Sequence, residues 1–144
     1  MSGIHNDDHR VSFDTHTHNS DNSAFGYHLM LDCYQCSLEK LDSIDSCYEF
    51  LNQLVEEIGA QKQTQPYVFR TPENFKGKEG LSGWAPIVES GISIHTLTKS
   101  LYISLDVYSC RRFDNNKVIS FTKDFFSVGE IEVNFVLRGV KHSG

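Results

Sequence analysis

The sequence predicts an α+β domain, a two-layer sandwich with its helices on one face of a mainly antiparallel sheet. Three patterns carry this expectation. Residues 102–108 and 131–137 alternate apolar side chains with polar or mixed ones, the period of a strand with one buried face. Cys47, Phe50, Leu51, Leu54, Val55 and Ile58 share one face of a helix instead. The patterns run strand, helix, several strands, helix, strand, and helices gathered on one face of a sheet would bury both.

Each segment has its own reason. Residues 1–23 read as a polar tail containing His5, His9, His16 and His18, with no cysteine or carboxylate spacing beside them that would make a metal site. A single domain is expected from residue 24 to residue 144. Its first strand is Tyr27-His28-Leu29-Met30-Leu31-Asp32-Cys33-Tyr34, and Cys33 with Cys36 forms a CxxC lacking a second pair, so both are read as packed thiols. Ser43 or Asp45 can cap the helix and Gly59 suits its end. A strand over 65–70 and a turn-rich loop through Pro72, Gly77 and Gly80 follow. Residues 84–88 and 92–95 are strand-like on either side of Glu89-Ser90-Gly91. Val118, Phe121, Phe125 and Val128 predict a second helix before the last strand.

Charge and composition narrow the function. With 13 basic and 19 acidic side chains the net charge is −6, and no basic run marks a nucleic-acid surface. No stretch approaches the roughly 20 apolar residues of a membrane span. No charged segment leads into an apolar run, so no leader is expected, and the four cysteines read as reduced thiols of a cytoplasmic protein.

The chemistry centres on Glu89-Ser90. Ser82 lies eight residues before Ser90, His95 five after it and Cys110 twenty after it, with the string Ile92-Ser93-Ile94-His95-Thr96 between. A regular strand would turn Ser90 and His95 to opposite faces, so the junction is expected to bend, bulge or leave the ladder, helped by Gly91. These residues at this spacing resemble the self-cleavage site of the bacterial and archaeal S-adenosylmethionine decarboxylases. The resemblance extends through Phe25-Gly26-Tyr27-His28-Leu29 and Leu105-Asp106-Val107-Tyr108-Ser109-Cys110, from about residue 25 to the C-terminus.

Loss of CO2 from an α-amino acid leaves a carbanion that needs an electron sink, and a carbonyl forming a Schiff base with the amino group supplies one. The resemblance implies cleavage between Glu89 and Ser90, with Ser90 becoming a pyruvoyl cofactor. It further implies that Ser82 and His95 serve this processing, Ser82 at the oxyanion or ester and His95 as base. Cys110 is implied as the acid that reprotonates the product. A homodimer is implied too, with sheets packed α/β/β/α and active sites between protomers; the mixed face of the 102–108 strand is consistent with it. The small-molecule substrate would be S-adenosylmethionine, in spermidine biosynthesis.

Three positions bear on that substrate. Phe75 lies near the family's adenine-stacking aromatic, while Leu97 and Lys99 stand where the family has an aromatic residue and a glutamate. Gly91 replaces the family's usual histidine. The expected substrate contacts are therefore Phe75, Leu97 and Lys99, with Tyr102 or Phe113 able to restore the lost stacking. L-Ornithine or L-arginine is the alternative substrate, and an unprocessed regulatory homologue the alternative role.

Overall fold

The computed structural model describes residues 24–142; the expected polar tail and its histidines lie outside them. Strand β1 (Gly26–Tyr34) is followed by two helices, α1 (Leu38–Leu41) and α2 (Ile44–Glu57). Strands β2 (Tyr67–Arg70), β3 (Leu81–Ile87), β4 (Ser90–Leu97) and β5 (Tyr102–Ser109) come next, then α3 (Asn115–Phe126) and β6 (Glu130–Arg138). The strands form one six-stranded sheet in the order β2-β3-β4-β5-β1-β6. Every neighbouring pair is antiparallel, as the alternating patterns predict. This is the expected α+β sandwich.

The helices take one face of the sheet because only one face is apolar. Leu29 and Leu31 of β1, Ile92 and Ile94 of β4, and Ile103, Leu105 and Val107 of β5 are buried beneath Phe50, Leu51 and Leu54 of α2 and Val118 and Phe126 of α3. Alternate residues of the same strands turn outward: His28, Met30, Asp32 and Tyr34 on β1, Ser93 and His95 on β4, Tyr102, Ser104, Asp106 and Tyr108 on β5. No helix packs over this second face among the described residues.

Local signals set the element ends. Of the two residues predicted as a cap, Ser43 caps α2, its hydroxyl accepting from Ser46 N–H at 3.0 Å. Gly59, at φ 70°, leaves the helix in the left-handed conformation that favours glycine. Asp114 caps α3 by accepting from Lys117 N–H. The helix α1 was not expected: four residues between Ser37 and Asp42 are too short to show a period. Gly80 is needed where it stands, because any side chain there would run into the Thr96 carbonyl. That contact seats the 71–80 loop against β4.

Phe50 lies at the centre of the helical layer, fully buried, with Phe121, Phe125 and Phe126 rings 4.8–5.4 Å from its own. Replacing Phe50 with Ala should lower stability by about 3–5 kcal/mol, measured as the shift of the urea unfolding midpoint at unchanged slope. A change below about 1 kcal/mol would show that the layer repacks.

Candidate active site

A tight corner brings Glu89, Ser90 and Cys110 together. Strands β3 and β4 are joined by Val88 and Glu89 alone, with Ile87 and Ser90 as the closing pair. Backbone from the preceding segment brackets this turn: Val88 N–H donates to Gln61 O at 2.8 Å, and Gln61 N–H donates to Glu89 Oε1 at 3.3 Å. Glu89 is only 8% exposed, and Arg111 Nη1 lies 3.5 Å from its other carboxylate oxygen. The Glu89 backbone carbonyl, the group a Ser90 hydroxyl would attack, accepts Cys110 N–H at 3.0 Å.

Ser90 does not leave the ladder, as one expectation had it. It is the first residue of β4 and pairs with Ile87 on one side and Ser109 on the other. The bend is taken up at Ser90 itself, whose φ of 159° is a value ordinarily left to glycine. Gly91, by contrast, is a regular ladder residue opposite Pro86 and Tyr108.

The remaining expected residues gather elsewhere. Ser82 and His95 are direct partners across β3 and β4, and Ser82 Oγ lies 3.0 Å from His95 Nδ1. Leu97 is half-buried at the end of β4, and Lys99 is exposed in the turn to β5. Phe75 is 55% exposed in the 71–80 loop, which is pinned to the same turn by Thr98 N–H donating to Glu79 O at 2.9 Å. Five residues of strand separate Ser90 from His95, roughly 16 Å at about 3.3 Å per residue. Within one protomer, therefore, the residues form two clusters at opposite ends of β4. Tyr102 and Phe113, named as replacements for a stacking aromatic, are engaged: Tyr102 donates to Asp32 at 2.5 Å, and Phe113 packs against the core.

Sequence reasoning missed the side chains that flank Ser90 on the open face. Trp84, Gly91, Ser93, Asp106, Tyr108, His28 and Arg138 line a cleft of about 470 Å³ together with Ser90. Parity along each strand was the available signal, since Trp84 shares a face with Ser82, and Asp106 with Tyr108. Among the described residues no three His, Cys, Asp or Glu side chains are grouped to hold a metal, and no helix is long and apolar enough to cross a membrane.

A family model described as S-adenosylmethionine decarboxylase matches residues 27–139. An S-adenosylmethionine decarboxylase proenzyme of Clostridium botulinum (strain Loch Maree / Type A3) is 30% identical over 115 residues, covering 79% of this chain and 94% of its own. A proenzyme of the same name from Syntrophomonas wolfei is 27% identical over 118 residues, 81% of this chain and 89% of that one. Among solved structures, the adenosylmethionine decarboxylase of Aquifex aeolicus superposes with a TM-score of 0.70 over 85% of this chain and 98% of that one; at 21% identity this likeness speaks for the fold.

The cysteines divide sharply by environment. Burial pushes the Cys33 and Cys47 thiols up to about 12 and Cys36 up to about 11, from an ordinary 9.0. Cys110 is partly exposed just past the end of β5. Iodoacetamide at pH 8 should therefore alkylate Cys110 in the folded protein and reach the other three only after unfolding, read by peptide mass spectrometry. Stability supplied by the neutral buried thiols should be full below about pH 9, where unfolded thiols begin to ionise, and should fall as pH rises toward 12. A flat stability profile through that window would contradict this.

Proposed function

This chain belongs to the S-adenosylmethionine decarboxylase family of prokaryotic proenzymes, and on that premise we propose that it cleaves itself at Glu89-Ser90 to become a pyruvoyl-dependent amino-acid decarboxylase. One observation carries the proposal: the Glu89 carbonyl, followed directly by Ser90, is already held by Cys110 N–H at 3.0 Å. A donor aimed at a carbonyl oxygen stabilises the charge that forms there on attack. The unusual φ at Ser90 adds conformational strain that cleavage would release.

The steps follow from the groups present. Ser90 Oγ adds to the Glu89 carbonyl carbon while Cys110 N–H meets the oxyanion. The C–N bond then breaks, the residue-90 nitrogen takes a proton, and an ester joins Glu89 to the Ser90 oxygen. His95, held by Ser82, removes the residue-90 α-proton, expelling Glu89 as a carboxylate and leaving dehydroalanine. Water displaces ammonia to give the pyruvoyl group. Its carbonyl supplies the electron sink on which an α-amino acid loses CO2. Cys110, partly exposed beside the same corner, returns a proton to the substrate's Cα.

His95 cannot reach Ser90 across roughly 16 Å of its own strand. The reading therefore requires a homodimer in which each partner's Ser82 and His95 complete the other's Glu89-Ser90 corner. The unclad face of the sheet supports this, since it presents Trp84, Tyr67 and Phe69 to solvent at 51%, 45% and 63% exposure. S-Adenosylmethionine is the default substrate. Leu97 and Lys99 favour a second reading, L-ornithine or L-arginine, because leucine offers no π face and lysine accepts no hydrogen bond. Either substrate leads into polyamine biosynthesis.

Mass spectrometry of the purified protein should find chains of residues 1–89 and 90–144, the second carrying pyruvoyl, and Ser90→Ala should abolish both. A single intact wild-type chain would sink the enzyme reading in favour of an unprocessed regulatory homologue. Co-expression of the Ser90→Ala and His95→Ala variants should restore cleavage of the His95→Ala chain, because the partner then supplies the histidine. No cleavage in the mixture would overturn the shared-site homodimer. Release of CO2 from the three candidate substrates, measured side by side, decides among them.

A further inference from the structure

Strand β4 presents only small side chains beside Ser90 on the open face. Gly91 and Ser93 form a low floor between taller neighbours, Trp84 on β3 and Tyr108 and Asp106 on β5, and the resulting groove is the cleft that begins at Ser90. Trp84 leans over the floor. A Cβ on residue 91 would come within 3.1 Å of its Nε1, so a side chain there would press on the indole. The ring is 51% exposed and is steadied from behind by Tyr67, whose centroid lies 6.2 Å away.

The groove also has a charge direction. Asp106 is directly opposite Ser93, at the end away from Ser90. Its Oδ1 lies 3.0 Å from His28 Nε2, and its side chain is 41% exposed. Arg138 stands at the other end, its guanidinium 4.6 Å from the centre of the Tyr108 ring. Arg138 pairs with Gly26 and Asp106 with Met30, so the two are four residues apart along β1, roughly 13 Å. A positive group near Ser90 and a negative one farther along match a zwitterion whose carboxylate is held at the reacting end.

We infer that this groove receives the substrate's side chain, and that Trp84 and Asp106 select an α-amino acid whose side chain ends in a cation. An indole face attracts ammonium, guanidinium and sulfonium groups alike, and the Asp106 carboxylate supplies the opposite charge. Arg138 faces the α-carboxylate before it is lost. The inference rests on the decarboxylase reading and adds to it two specificity-determining residues on the same protomer as Ser90.

Binding tests it apart from processing. Ser90→Ala protein, which stays intact, is titrated calorimetrically with L-arginine, L-ornithine, S-adenosylmethionine and, as a neutral control, L-norleucine. At least one cation should bind about tenfold or more tightly than norleucine. Adding Asp106→Asn, which keeps an acceptor for His28, should cost that cation about tenfold while moving norleucine less than about twofold; Trp84→Leu should cost it about fivefold. In processed protein Asp106→Asn should raise KM by a similar factor and leave kcat within about threefold. Norleucine binding as tightly as the cations, no binding by any cation, or equal losses for charged and neutral ligands would each overturn the inference. An intact wild-type chain would instead overturn the decarboxylase reading, and the titrations would still judge the groove.

Discussion

Antiparallel pairing of β3, β4 and β5 sets every distance in the candidate site. The ladder that puts Ser82 opposite His95 also puts Ile87 opposite Ser90 and Ser90 opposite Ser109. What locks this register is not in the site at all. Ile92, Ile94 and Thr96 are buried under the helices, and a slip of one residue would send them to the open face while driving Gly91, Ser93 and His95 into the core. Burying an isoleucine side chain is worth about 1.5–3 kcal/mol, so two of them hold the register more firmly than the polar contacts they position.

The same parity explains what was legible in the sequence. Period-two runs and the helical stripe of α2 identify the layers, because a sheet with one covered face cannot hide its alternation. The spacing of Ser82, Ser90, His95 and Cys110 pointed to the family through its resemblance. That spacing did not reveal that four site residues form two clusters, although five extended residues cannot bring Ser90 and His95 together. Nor did it reveal the Glu89 carbonyl's partner, since a hydrogen bond between a turn and the end of β5 depends on a fold that closes over a long chain separation. Trp84 escaped notice for a related reason. Its meaning comes from Gly91, seven residues on, and only the hairpin makes them neighbours.

The open face is more than a surface left bare. At its far edge Tyr34 donates to Glu132 at 2.7 Å and Tyr102 to Asp32. The Tyr34 hydroxyl is pushed up to about 12, first by that hydrogen bond to Glu132 and then by burial. Burial, followed by the Asp32 hydrogen bond, raises Tyr102 as well. Both phenols stay protonated and keep donating at any physiological pH, which holds carboxylates in fixed positions. Toward the other edge the face carries aromatic side chains, Tyr67 stacked with Phe69 and Trp84.

Strand order gives the Glu89-Ser90 corner a consequence for the integrity of the molecule. Residues up to Glu89 contribute β1, β2 and β3, and residues from Ser90 contribute β4, β5 and β6. In the sheet these alternate, with β1 wedged between β5 and β6. A break at this corner would leave two polypeptides woven through each other, joined along the β3–β4, β5–β1 and β1–β6 ladders. Parting them means dismantling three ladders at once, and rebuilding them means a bimolecular encounter that re-pairs all three. The intact precursor folds as one chain; its cut form would be a product of history, durable once made and poorly able to reassemble after denaturation.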